Sequence, residues 1–458
     1  MLFASLTYPD PSLLLPSAVD GIELRLDYLS KIDFSVLETF LHASKRLILF
    51  ALRKKSQGGK FQGTEEEREN LITRLLKLKP HFFDLEGDMR SAFLMETINN
   101  HPNTKFILSH HDFEKTPENL DEIFRSLARY NPFTCKIAAM ANSTNDALRM
   151  LLFSKLHPLA SMISMGEKGE FARVLGKTTG NVIDYAALQG QTPTGPGQLT
   201  VEELVEIYRY PVLNQETVIY GLIGNPVAKS PGHLYHNGVF RRRNVNALYI
   251  KMIVNPEELG DFIRYAKEIN IRGLSVTIPL KEKILPYIDE LDPKTREIGA
   301  ANTLRFQDDR IYDTNTDGTG ALDAIEKQMK VEGKKIALLG AGGAARGIAF
   351  EAKKRKASVT ILNRTLSRAE KLAIDVGGNA NGLNDVPRDT DILINCSPNP
   401  LPIQSDLIPP KALVMETVIV PQITTFLQEA LSRGCHVVYG EEMFFNQAAS
   451  QTQFWLDT

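Results

Sequence analysis

Cysteine is nearly absent: three in 458 residues, Cys135, Cys396 and Cys435, with no paired spacing. That excludes a disulfide framework and a thiolate zinc site, and it suits a reducing compartment. A surplus of either charge is also missing. Lys plus Arg number 53 and Asp plus Glu 55, which argues against nucleic acid or an acidic membrane surface as the main partner. No apolar run approaches the roughly 20 residues of a membrane span. The opening MLFASLTYPDPSLLLPS has no basic stretch ahead of its proline-broken apolar residues, unlike a signal peptide. Repeats and low-complexity tracts are lacking too. The expectation is an intracellular protein of two or three domains, monomeric or weakly associated; the lack of a transit-type leader favours a bacterial cytoplasm over a plastid. Its partners would be small molecules, with no metal, nucleic acid or membrane.

What is present is a rhythm. Short apolar runs at 2–6, 21–26, 47–52, 82–85, 105–109, 133–140, 160–165 and 181–187 alternate with charge-rich amphipathic segments. About eight strand–helix units in about 200 residues predict a (β/α)₈ barrel over 1–208. TEEERENLITRLLKL and TPENLDEIFRSLARY carry helical spacing, with Thr64 and Thr116 as N-caps. The rhythm breaks over 208–217, a linker, and then resumes.

Catalytic groups of such barrels sit at the C-terminal ends of strands. There the sequence places Glu23, Arg25 and Asp27, then Arg53, then His110 and His111, then Lys136, then Arg173, and finally TPTGPGQ with Thr194 and Gln198. Lys136 stands in the middle of the apolar run FTCKIAAMAN. A lysine there either snorkels to solvent or is chemically employed. A partly desolvated lysine beside cations has a lowered pKa and can attack a ketone as the free amine. Histidine moves protons near neutrality, and arginine clamps a carboxylate.

ELRLD, SHHDF, KIAAM, SMGEKGEFAR and GPGQ, in this order, resemble type I 3-dehydroquinate dehydratase. The resemblance implies that Lys136 forms an imine with the substrate and that His111 is the general acid/base. Glu23, Arg25, Arg53 and Arg173 would position the substrate, with Arg173 on its carboxylate, and Thr194 and Gln198 would belong to a closing loop. The family usually has a glutamate four residues after the strand-three arginine; this chain has Gln57.

In the second half, Ser230 reads as a turn or N-cap serine, Thr277 as a strand residue and Lys281 as the start of a helix. Asn302 and Asp317 fall in glycine-flanked loops. More specific is KKIALLGAGGAARGIAFEA: an apolar strand, then Gly340-x-Gly342-x-x-Ala345, then a helix. This is the context of a dinucleotide fingerprint, in which backbone amides and a helix N-terminus receive a pyrophosphate. The next strand ends in Asn363, Arg364 and Thr365, with Arg368 beyond, and no acid. That favours a 2′-phosphate, hence NADP(H).

GNPVAKS, SVTIPLK, GAANT, NTDG, GAGGAAR, NRT and YGEEMFFNQA together resemble shikimate dehydrogenase. The resemblance implies a substrate-binding α/β domain at 218–318, completed by 440–458, and a Rossmann-type NADP domain at 319–439. Lys281 and Asp317 would be the catalytic pair, and Ser230, Thr277, Asn302 and Gln447 would bind substrate. Gly340, Gly342, Gly343, Ala344 and Ala345 would meet the cofactor, with Asn363, Arg364, Thr365 and Arg368. Gly232 stands where the family usually has a second serine, and Ile419 where it has a tyrosine.

The fold class is therefore α/β: a (β/α)₈ barrel followed by a two-domain dehydrogenase-like module. The expected function is dehydration of 3-dehydroquinate and NADPH-dependent reduction of the product to shikimate. Two rivals stand beside it: a Schiff-base barrel fused to a quinate dehydrogenase, and a binding or regulatory module with decayed sites.

Overall fold

In the computed structural model, which describes residues 1–10 and 12–457, the eight apolar runs become strands: β1 Leu2–Leu6, β2 Gly21–Arg25, β3 Leu47–Ala51, β4 Phe82–Glu86, β5 Lys105–Asp112, β6 Thr134–Met140, β7 Ala160–Met165 and β8 Asp184–Ala186. They form one parallel sheet in the order β7-β6-β5-β4-β3-β2-β1-β8. Between β8 and β7 a side chain continues the ladder. The Asn181 amide accepts from Met162 N (2.9 Å) and donates to Met162 O (3.0 Å), standing in for a strand residue's own peptide. The barrel is thereby nearly closed.

Period-two alternation fills its interior. Phe3, Leu49, Phe82, Ile107 and Tyr185 pack as an apolar floor. Two residues further along their strands, Ser5, Asp84 and Ser109 are polar and buried. The change from apolar to polar within one stack of inward positions is what creates a site at the strand ends.

Thr64 caps the helix Glu65–Leu76 in a capping box with Glu67. Thr116 does not cap its helix. That helix starts later, at Leu120, and the buried Thr116 hydroxyl donates to Met140 O (2.9 Å), fastening the loop after β5 to the end of β6.

The chain divides into two compact units: residues 1–218 with 246–248 and 261–270, and the remainder. The second half holds two sheets. Strands β9 Val218–Gly224, β10 Ala247–Ile253, β11 Ile271–Val276, β12 Thr303–Gln307 and β13 Arg310–Thr314 lie in the order β10-β9-β11-β12-β13, with β12 antiparallel to both neighbours. Strands β14 Lys335–Leu339, β15 Ser358–Leu362, β16 Asn379–Asn381, β17 Ile392–Asn395, β18 Leu413–Glu416 and β19 His436–Val438 form an all-parallel sheet, β16-β15-β14-β17-β18-β19. Its central strands β14 and β17 are apolar except at one end, Lys335 and Asn395, because both faces are covered. Ile336 and Leu338 enter one core, Ala337 and Leu339 the other. The last helix, Gly440–Leu456, returns to the five-stranded sheet, where Trp455 Nε1 donates to Leu304 O (2.8 Å).

Candidate active sites

In the barrel, the ends of β2, β4, β5 and β6 and the segment after β3 converge. Lys136 is buried, 4% exposed, so it does not snorkel. Its Nζ lies 3.1 Å from Asp84 Oδ2 and 3.4 Å from Glu23 Oε1, and 3.9 Å above the Tyr185 ring. Arg53 Nη2 shares Asp84 at 2.9 Å. Ser5 and Ser109 hydroxyls donate to Glu23 (2.7 Å) and Asp84 (2.5 Å). Burial lowers the Lys136 pKa, Asp84 and Glu23 oppose this, and Arg53 adds to the lowering. Arg25 is spent on a bidentate pair with Asp27 (2.8 and 2.9 Å), and Arg25 Nη1 donates to Thr194 O.

Of the two histidines, His111 is the buried one, and its Nε2 has no hydrogen-bond partner. Burial, then the Arg53, Lys136 and Arg25 charges, hold it well below the usual imidazole value. At rest it is a neutral base with an open lone pair. Arg173 is buried; its Nη2 donates to Pro196 O (2.8 Å), and among the described residues its Nε finds no partner. Burial lowers its pKa to about 10, still cationic at neutrality. Gln198 Nε2 donates to Ser5 (3.2 Å) while its Oε1 accepts from Thr194 N (3.0 Å), so the TPTGPGQ loop is tied to the rim. The set offers a buried amine, a base with its Nε2 open and, among the described residues, a cation without a salt-bridged carboxylate. That is equipment for condensing with a carbonyl and moving protons beside it.

The second half contains a cleft of about 710 Å³. Lys281 Nζ and Asp317 Oδ2 meet at 2.5 Å on its wall. Asn302 Nδ2 donates to Asp317 Oδ1 (2.9 Å) and Thr316 Oγ1 (2.9 Å), and lies 3.5 Å from Gln447 Oε1. Ser230, Thr277 and Ile419 also face the cleft. Ser230 Oγ accepts from Gly232 N (3.2 Å), a turn contact. Two placements differ from expectation. Lys281 opens no helix: between Pro279 and Pro286 only turns and a 3-10 segment Leu285–Tyr287 form, because a proline at each end limits the backbone ladder. Asp317 is not in a loop but is the first residue of the helix Asp317–Glu326.

The glycine-rich turn fits a dinucleotide. Gly340 has φ +122°, a conformation that favours glycine. Gly342, Gly343, Ala344 and Arg368 line the cleft. A Cβ added at Gly342 would meet nothing within 4 Å, whereas one at Gly343 would come within 2.9 Å of Lys281 Cβ. Bare backbone at the start of the helix Gly343–Lys354 therefore opens on the Lys281 side of the cleft. Ala345 is fully buried in the core and seats the helix on the sheet. Asn363 Nδ2 donates to Thr365 O (2.9 Å), shaping the turn that carries Arg364.

The family model for type I 3-dehydroquinase matches residues 12–214, that for the shikimate dehydrogenase substrate binding domain 222–304, and that for shikimate/quinate 5-dehydrogenase 323–407. The shikimate biosynthesis protein AroDE of Chlamydia pneumoniae is 34% identical over 95% of this chain and 90% of its own. The chloroplastic bifunctional 3-dehydroquinate dehydratase/shikimate dehydrogenase of Arabidopsis thaliana is 33% identical over 95% of this chain and 77% of its own. The chain belongs to this bifunctional dehydratase/dehydrogenase family. A shikimate dehydrogenase solved in complex with NADP+ matches the second half with a TM-score of 0.52 and 33% identity, covering 54% of this chain and 92% of that one.

The dehydratase barrel holds two groups that sequence reasoning passed over, Asp84 and Tyr185. Asp84 had a legible signal, a carboxylate inside the apolar run FFDLE, the same anomaly that marked Lys136. Tyr185 had none. The dehydrogenase module adds Ser275, Tyr249 and Gln451. Tyr249 OH donates to Ser275 Oγ (2.8 Å), which donates to Gln451 Oε1 (2.8 Å), and Gln451 Nε2 holds Asn302 O (3.1 Å). Gln451 follows Gln447 by four residues on one helix, a spacing that shares a face. At Gly232 a Cβ would stand 3.2 Å from Tyr249 Cε1 and OH, so a larger residue there would require the Tyr249 ring to give by a few tenths of an ångström.

Proposed function

We propose that the chain performs two consecutive reactions, dehydration of 3-dehydroquinate in the barrel and NADPH-dependent reduction of 3-dehydroshikimate in the cleft. The barrel would span 1–208, the substrate domain 218–318 with 440–458, and the nucleotide domain 319–439. What supports this best is the coexistence in one chain of a buried amine with an imidazole whose Nε2 is left open, and of a Lys–Asp pair with a glycine-rich turn.

In the barrel, Lys136 attacks the ketone as the free amine, and water leaves as the imine forms. His111 Nε2 takes the proton from the carbon next to the imine carbon. The same imidazolium then protonates the β-hydroxyl, which departs as a second water. Hydrolysis of the imine frees Lys136. Arg173 holds the substrate carboxylate, while Glu23, Arg25 and Arg53 face its hydroxyls. In the cleft, NADPH supplies the hydride. Lys281 gives a proton to the carbonyl oxygen, and Asp317 keeps that ammonium oriented. Ser230, Thr277, Asn302 and Gln447 bind the ring substituents.

The deciding experiment follows nicotinamide absorbance after mixing the whole protein with 3-dehydroquinate and NADPH. Oxidation of NADPH is expected. A flat trace that persists with 3-dehydroshikimate would overturn the dehydrogenase reading, and recovery would place the failure in the barrel. A quinate preference is the second reading, favoured by Gly232 in place of serine, and comparing oxidation of quinate and shikimate separates the two.

Nucleotide choice gives a further prediction. Removing both Arg364 and Arg368 should raise the KM for NADPH by about 10- to 100-fold, the usual worth of charge-assisted hydrogen bonds, and leave that for NADH nearly unchanged. Arg173→Met should raise the KM for 3-dehydroquinate by about tenfold or more, as loss of a charge-assisted contact to a carboxylate does, with imine trapping retained at saturating substrate.

A further inference from the structure

His111 is held by an amide, and the amide is held by a carboxylate. The backbone N–H of His111 lies 2.8 Å from one end of the Gln57 side chain, and His111 Nδ1 lies 3.1 Å from the same atom. A peptide N–H can only donate, so that atom is the amide oxygen. His111 Nδ1, facing the same oxygen, must carry the ring hydrogen. The lone pair is thereby fixed on Nε2, which is buried and unpartnered. With its oxygen so committed, Gln57 presents its NH₂ on the other side, where it donates to Asp88 Oδ2 at 3.1 Å.

We propose that Asp88 is a positioning residue for the dehydratase, lending His111 its negative charge through the Gln57 amide. A neutral amide alone orients the ring without favouring its protonated form. A carboxylate on the amide NH₂ shifts electron density toward Oε1, and the stronger acceptor steadies the imidazolium that forms during proton transfer. His111 needs that help, since burial first and then the Arg53, Lys136, Arg25 and His110 charges all oppose its protonation. Asp88 in turn faces Lys54, whose Nζ sits 2.7 Å from the same oxygen, and more distantly Arg68. With Gln57 and Lys54 as donors, the carboxylate stays ionised well into the acid range. Strand β4 carries the site carboxylate Asp84 and ends two residues beyond it, at Glu86, and Asp88 follows in the turn that leaves the strand.

The inference rests on the Schiff-base reading of the barrel, and the test separates the two. Once Lys136 is bound as an imine, the acid limb of the kcat profile reports His111. Asp88→Asn should move that limb to lower pH and reduce the plateau kcat on the order of tenfold, a usual cost of losing an outer-shell partner, with KM unchanged. Borohydride trapping of substrate on Lys136 should persist, and so should reduction of 3-dehydroshikimate by the same molecules. The double variant Gln57→Glu/Asp88→Asn, which moves the charge into direct contact with His111, should recover the loss. An Asp88→Asn profile that overlays wild type overturns the proposal. So does a fall in kcat with the limb unmoved, or a double variant that traps substrate and is not rescued. Failure of wild type itself to trap substrate would instead sink the Schiff-base reading.

Discussion

Lys136→Met abolishes dehydration and leaves no borohydride-reduced adduct with 3-dehydroquinate. The expected loss is about 10³-fold or more, because removing a covalent nucleophile removes the route and not just one contact. Activity within tenfold of wild type would exclude the imine mechanism. Reduction of 3-dehydroshikimate by the same protein should be unaltered, which guards against general unfolding.

The same substitution carries a stability signature. Burial pushes the Glu23 and Asp84 pKa values up, but the Lys136 charge, followed by Arg53, outweighs it, and both end below their ordinary values. Their contribution is complete above the usual carboxylate range and is lost as pH falls through the depressed values. Without Lys136 the two buried carboxylates keep Arg53 and their hydroxyl donors, and Glu23 also keeps the charge of Arg25, at a cost of about 3 kcal/mol near neutrality. The gap between wild type and variant should therefore narrow on acidification. A gap that widens toward acid in thermal unfolding scans would contradict this account.

Asp317→Asn and Lys281→Met should each lower kcat for reduction by about 10²- to 10⁴-fold, the range for loss of a positioned proton donor. Dehydration should continue at the wild-type rate. Asp317 accepts from both Lys281 (2.5 Å) and Asn302 (2.9 Å), so the asparagine variant fills the same space without the charge that holds the ammonium. NADPH fluorescence titration should show binding retained in both variants. Kinetics within threefold of wild type for either would remove the pair from the chemistry.

Residue chemistry along the chain determined a good deal by itself. Period-two alternation and the count of apolar runs give the barrel, and a lysine inside the apolar run KIAAM marks a buried amine. GAGGAAR between an apolar strand and a helix gives the nucleotide turn, because local periodicity and glycine geometry act over a few residues. Tertiary structure decided the rest. Lys136 meets Asp84 across 52 residues and Glu23 across 113, and Gln198 reaches Ser5 across 193. Those separations close only when the eight strands curl into a nearly closed barrel. Thr116 reads locally as a cap and Lys281 as a helix start, yet a strand-end carbonyl claimed the first and two prolines blocked the second. Asp88 reads as one more surface carboxylate. Only the fold sets it against Gln57, because what that amide's free end meets depends on which loop lies beside it, and no local pattern encodes that.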